Sequence, residues 1–274
     1  MMRRLLAAAP VLAVVILGAV VGSGCHSPTG SEEIGLVWSD EFDGPAGQSP
    51  DSTRWTFDEG TDWGNDQLEY DTDRPVNVSL DGQGHLAINA LEEDYLGRHY
   101  TSGRINTRNG FVRTRGRFEA RIKLPVGQGI WPAFWLLGAD IGSVGWPACG
   151  EIDIMEYRGQ YPNIVTGALH GPGYSGGHSI GGYYSLEGAS FNDDFHVFAI
   201  DWNSSSITWS VDDHAYMTLG PSDLPSGASW VFNNDFFIIL NVAVGGNYVG
   251  APDETTTFPQ TMLVDYVRVY GTGS

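Results

Sequence analysis

Apolar and polar residues alternate with a period of two along much of this chain, and from residue 34 onward no long stretch shows helical spacing. The clearest run covers residues 111–124. Arg113, Arg115, Arg117, Glu119, Arg121 and Lys123 fall on one face, and Val112, Thr114, Gly116, Phe118, Ala120, Ile122 and Leu124 on the other. This is the pattern of a half-buried antiparallel strand, with one face in a core and one in water. Further strands are predicted over 86–91, 195–202, 207–211, 236–244 and 262–270, with the polar tetrapeptide 203–206 as a hairpin turn. Residues 34–270 contain no internal repeat and no low-complexity linker. The pattern therefore predicts one all-β domain over 31–274, built as two stacked antiparallel sheets, a β-sandwich or jelly roll.

Composition narrows the range of partners. The chain carries 33 acidic against 14 basic residues, a formal charge of -19, which argues against nucleic acid or an anionic membrane. Two cysteines cannot build a disulfide scaffold or a four-thiolate metal site. With 37 Gly, 9 Trp, 12 Tyr and 12 Phe but only 17% charged residues, the chain suits a neutral ligand with flat faces, such as sugar. Most of its bases lie between Arg98 and Lys123, which reads as a solvated strand face rather than an anion site.

Residues 1–30 read as a leader plus short linker. Arg3 and Arg4 precede an apolar stretch over 5–21, then Gly22-Ser23-Gly24 and Cys25, the order of an export signal. Cys25 stands where a lipoprotein carries its lipidated cysteine, but Gly22 replaces the usual Leu, so an ordinary secretory leader and a lipid anchor both stay open. The expected location is extracellular, with membrane contact only through a Cys25 anchor. Cys149, beside apolar residues, reads as core.

The most informative segment runs from Trp146-Pro147-Ala148-Cys149-Gly150 into Glu151-Ile152-Asp153-Ile154-Met155-Glu156-Tyr157. Alternation puts Glu151 and Asp153 on one strand face. A one-residue bulge near Ile154 and Met155 would return Glu156 to that face. Clustered carboxylates repel, so a purely structural cluster would need arginine partners or a cation. As chemistry, two carboxyls can flank a glycosidic bond, one attacking the anomeric carbon while the other protonates the leaving oxygen and later activates water. Asp153 between them can hold a proton. The loop spacing of an EF-hand calcium site is absent.

The motif Glu-Ile-Asp-Ile-Met-Glu, preceded by Trp-Pro-Ala-Cys-Gly, resembles the catalytic strand of glycoside hydrolase family 16 in its laminarinase form. The likeness continues through Ser39-Asp40-Glu41-Phe42-Asp43-Gly44, Tyr100-Thr101-Ser102-Gly103-Arg104, Gly129-Ile130-Trp131-Pro132-Ala133-Phe134-Trp135 and Val264-Asp265-Tyr266-Val267-Arg268-Val269-Tyr270. The resemblance implies a jelly-roll sandwich of the concanavalin A-like lectin/glucanase type, with a concave substrate cleft. It implies retaining endo-hydrolysis of β-1,3-glucosidic bonds in laminarin-like β-glucan, with Glu151 as nucleophile, Glu156 as acid/base and Asp153 assisting. By the same resemblance Trp131 and Trp146 stack sugar, Arg104 and Asn77 bind glucose on the non-reducing side, and His170 lies near the carboxyls. Trp135 reads either as a further platform or as core, and the usual burial of Trp favours core. A structural calcium is implied on the convex face, held by main-chain oxygens of Glu41 and Gly84 and the side chain of Asp265. No cofactor is expected in the chemistry, and a monomer is expected. Two stretches depart from the family pattern. Tyr248-Val249 stands where Trp-Pro is usual, and Asn65-Asp66-Gln67-Leu68-Glu69-Tyr70 where Asn-Asn-Glu-Leu-Gln-Tyr is usual. The alternatives are hydrolysis of mixed-linkage β-1,3-1,4-glucan or galactan by the same fold, and a glucan-binding lectin without catalysis.

Overall fold

The computed structural model describes residues 35–271, so the leader and Cys25 lie outside the described residues. Strands are numbered in chain order. A ten-stranded back sheet holds β1 (Gly35–Asp40), β3 (Glu69–Asp71), β4 (Val78–Leu80), β5 (Leu86–Tyr95), β6 (Arg98–Ser102), β8 (Gly116–Lys123), β13 (His196–Trp202), β14 (Ile207–Val211), β15 (His214–Leu219) and β17 (Gln260–Gly271). A seven-stranded cleft sheet holds β2 (Thr56–Phe57), β7 (Arg104–Asn106), β9 (Ile130–Gly138), β10 (Glu151–Tyr157), β11 (Ile164–His170), β12 (Ile180–Ser185) and β16 (Phe236–Val244). Its spatial order is β12-β11-β10-β9-β16-β7-β2. The two sheets form a jelly-roll sandwich.

Alternation builds the core between them. Ile152, Phe134, Leu136, Ile238 and Leu240 point inward from the cleft sheet and meet Phe118, Ile122, Ile200, Val267 and Val269 from the back sheet, all fully buried. The odd partners of the cleft strands are thereby left for the outer face. No helix among the described residues is long and apolar enough to cross a membrane.

Strands β14 and β16 coincide with their predicted bounds, and the others differ at their ends. The turn between β13 and β14 is held by Asn203, whose Oδ1 accepts the main-chain N–H groups of Ser205 at 2.8 Å and Ser206 at 3.0 Å. The run over 111–124 is corrected, because β8 begins only at Gly116. Arg115 and Gly116 have φ of 66° and 125°, and a Cβ on Gly116 would lie 2.3 Å from the Tyr270 carbonyl oxygen. That left-handed step ends the period-two pattern and needs glycine. The basic face is also not simply solvated. Arg117 reaches Glu119, Asp201 and Asp213 at 2.8, 3.0 and 3.1 Å, and Arg104 and Arg108 turn into the cleft instead.

Candidate active site

Strand β10 carries the bulge that its sequence requires. Asp153 pairs with Trp135 and Met155 with Phe134 on β9, while Asp153 pairs with Ala168 and Glu156 with Thr166 on β11. One extra residue is thus inserted after Asp153. Ile154 and Met155 are consecutive apolar residues and both are buried, which strict alternation could not achieve. The shift aims Glu151, Asp153 and Glu156 at the same open face, where they line a cleft of about 980 Å³. The bulge is pinned from behind: buried Trp209 of β14 donates its indole N–H to the Asp153 carbonyl oxygen at 2.8 Å. Gly167 leaves room for that indole, since a Cβ there would meet it at 2.5 Å.

Each terminal carboxyl of the three has its own tryptophan. Trp146 Nε1 donates to Glu151 Oε2 at 3.0 Å, and Trp131 Nε1 to Glu156 Oε1 at 3.1 Å. Trp146 is 47% exposed and offers a free ring face, whereas Trp131 is nearly buried against Tyr248, ring centroids 4.9 Å apart. His170 Nδ1 accepts the Gly176 main-chain N–H at 3.0 Å, so the ring carries its proton on Nε2. That nitrogen lies 3.0 Å from Asp153 Oδ2 and 3.7 Å from Glu151 Oε1. Burial raises all three carboxyls to about 8, and their neighbours' negative charge adds to the effect at Glu151 and Glu156. The cluster therefore retains protons near neutral pH.

Arg104 sits at the far end of the cleft, with its Nε on Asp58 Oδ2 at 3.0 Å. Its guanidinium lies between the rings of Trp63 and Trp135, 4.8 and 4.9 Å from their centroids. Trp135 is accordingly a correction. It is only half-buried, lines the cleft and donates to Asn241 Oδ1 at 2.8 Å. Asn77 is a second correction: it is fully buried and does not line the cleft. Its side chain is consumed by Thr72, Arg74, Thr101 and the Asn89 carbonyl. Asp58, Trp63, Asn106 and Asn241 join the wall without having been singled out for it, and Tyr248, which stands where the family pattern has Trp, lines it too. Asn241 had a signal, as the one polar residue within Phe236–Val244.

The segment over 65–70 supplies Asn65 and Gln67 to the cleft rim and buries Glu69 behind it. Glu69 Oε2 accepts the Val244 N–H at 2.8 Å, and burial pushes the carboxyl up to about 7. Asp71, on the same strand face, is raised too, by burial and then by Glu69. A group that holds its proton more tightly when folded stabilises fully below its unfolded pKa, here 4.5, and loses that contribution as pH rises toward 7. Glu69→Gln keeps the acceptor and removes the charge. It is expected to add on the order of 3 kcal/mol at pH 8 and little below pH 4.5, as read by urea unfolding at both pH values. An equal effect at both would show that ionisation of Glu69 is not the cause.

Two places in the fold bear on metal binding. Glu151, Asp153 and His170 offer ligand atoms within 4.8 Å of one another, a donor set that could hold a cation. On the back sheet, register sets Asp40 opposite Val267 and Leu86 opposite Val264, so the chain positions next to these pairs include Glu41 and Asp265. Two main-chain oxygens and a carboxylate are hard donors that suit calcium. Asp265 Oδ2 is held by Arg121 at 2.7 Å.

Carboxyls gathered on an open, aromatic-walled sheet face suit bond cleavage within a long neutral sugar chain, the work of a glycoside hydrolase. The pattern of Glycosyl hydrolases family 16 matches residues 57–268. The chain belongs to that family. It is 41% identical to a beta-glucanase of Rhodothermus marinus, over 98% of this chain and 95% of that one. Among solved structures, the catalytic domain of an endo-1,3-beta-glucanase (laminarinase) from Thermotoga petrophila superposes with a TM-score of 0.83 at 47% identity, covering 89% of this chain and all of that one. An endo-beta-1,3-glucanase from Pyrococcus furiosus gives 0.82 at 45% identity, covering 88% and 95%.

Proposed function

We propose that this protein hydrolyses internal β-1,3-glucosidic bonds of laminarin-like glucans with retention of anomeric configuration. The observation that carries the reading is the bulged β10, which aims Glu151, Asp153 and Glu156 at one open face. The kinship with β-1,3-glucanases supports the linkage.

In the first step the Glu151 carboxylate bonds to the anomeric carbon, the C–O bond to the leaving sugar breaks, and the Glu156 proton passes to that oxygen. In the second step Glu156 takes a proton from water, whose oxygen bonds to the anomeric carbon as the Glu151 ester breaks. Glu151 is suited to the ionised role. Its side chain is 17% exposed against 4% for Asp153, and it accepts the Trp146 indole N–H. Asp153, the drier group, suits the role of proton store between them. Arg104 and the Trp146 ring suit the sugar, the former on the non-reducing side.

Product analysis on laminarin, curdlan, lichenan and agarose tests the reading, with NMR of the first-formed anomer. The expected result is β-configured oligosaccharides from the first two. An α product, or cleavage of lichenan or agarose with laminarin untouched, would overturn it.

Two lesser proposals accompany it. The leader directs export, with Cys25 as the residue that would carry a lipid anchor. Calcium binds at Glu41, Gly84 and Asp265 and stabilises the fold by mass action. Millimolar calcium is then expected to raise Tm by a few degrees in the wild type and not in Asp265→Asn. Equal Tm with calcium and with chelator would remove the site.

A further inference from the structure

One more aromatic stands on the working face of the cleft sheet, outside the machinery described above. Register carries a row across the strands: Ala133 lies opposite Glu156, Glu156 opposite Thr166, and Thr166 opposite Tyr183. Residues directly opposite in antiparallel strands share a face. Tyr183 therefore projects on the same side as Glu156, two strands away, or roughly 10 Å at normal strand spacing. It sits on β12, at the opposite end of the sheet from Arg104 on β7.

Its surroundings suit a ligand better than a packing role. Tyr183 is 69% exposed. Its neighbours on that face, Gly181 and Ser185, are exposed and small, so no other large side chain of β12 stands beside it. A Cβ on Gly181 would lie 2.3 Å from the Gly167 carbonyl oxygen, so the close approach of β11 and β12 keeps that flank bare. Ile180 and Tyr184, on the inner face, anchor the strand to the core without Tyr183. Between Tyr183 and Glu156 in this row stands one polar residue, Thr166. Thr166 Oγ1 lies 2.9 Å from the Tyr248 hydroxyl, and the Tyr248 ring runs on to Trp131.

We propose that Tyr183 is a sugar-stacking platform on the leaving-group side of the cleft, meeting a glucose unit beyond the one whose oxygen Glu156 protonates. The proposal rests on Glu156 as the acid and Arg104 on the non-reducing side. A glucan crossing the strands from Arg104 past Glu156 arrives at Tyr183, where the C–H face of a sugar can lie on the exposed ring. A retaining enzyme would use the same platform to hold an incoming acceptor sugar.

The experiment compares laminarin with an aryl β-laminaribioside, whose single-ring leaving group ends short of Tyr183. In Tyr183→Ala the ratio of kcat/KM on laminarin to that on the aryl glycoside is expected to fall about three- to ten-fold. Transglycosylation products should decline with it, and Tyr183→Phe should keep the wild-type ratio. An unchanged ratio overturns the proposal, as does an equal loss on both substrates, which would mark Tyr183 as support for the fold. Wild-type protein inactive on both would instead overturn the underlying function, and this proposal with it.

Discussion

Glu151→Gln is expected to lose at least about 10³-fold in kcat on laminarin, with KM little changed. The amide matches the carboxyl in shape, and its oxygen can still accept the Trp146 indole N–H, so the cleft should bind glucan as before. It cannot supply the electron pair that forms the ester, so the loss falls on the chemical step. The same change removes one of three crowded carboxyls from a site that raises the pKa of each. Tm should therefore hold or rise, which separates loss of chemistry from loss of fold. Reducing-sugar release at the wild-type rate from protein of verified mass would mean that Glu151 is not the nucleophile.

Glu156→Gln should lower kcat on laminarin about 10²- to 10⁴-fold, the usual span of general acid–base catalysis. Its signature is dependence on the leaving group. An acidic phenol departs without a donated proton, so formation of the glycosyl-enzyme from an aryl glycoside should stay fast. Its hydrolysis should become slow because water has lost its base, and a burst of phenol is the expected observation. The pH profile adds a second readout. Burial pushes Glu156 up to about 8, so wild-type kcat/KM should fall with rising pH as that proton is lost, and the variant should lack this alkaline limb. An equal loss on laminarin and aryl glycoside with no burst would assign the proton donor elsewhere.

Much of this molecule is legible in one dimension because period-two patterning states both strand and face. Phe236–Val244 is apolar except for Asn241, and it is buried throughout. The bulge was legible because two apolar residues, Ile154 and Met155, interrupt an acidic alternation that ends in Glu156. The failures have a common physical origin in contacts between distant segments. Asn77 looks like a ligand residue in one dimension, yet folding surrounds it with Thr72, Asn89 and Thr101. Trp135 has the size of a core residue, but its register beside Asp153 turns it outward. Asp58 and Trp63 belong to a loop that becomes a wall only when Arg104 reaches both of them. The strand predicted from residue 111 was lost to a single left-handed step whose cause, the Tyr270 carbonyl, lies at the other end of the chain.

The Trp209 hydrogen bond to the Asp153 carbonyl has a consequence for how such a site can diversify. The bend that aims the carboxyls is secured by the back sheet, through a buried indole and the gap at Gly167. The sugar-facing surface carries none of that burden. Rim residues such as Asn65 and Gln67 are therefore free to be exchanged, and a lineage could retarget the enzyme to new polysaccharides while the reactive geometry is inherited intact. Conversely, variation confined to the hidden side, at Gly167 or Trp209, could silence the enzyme without touching a residue that meets substrate.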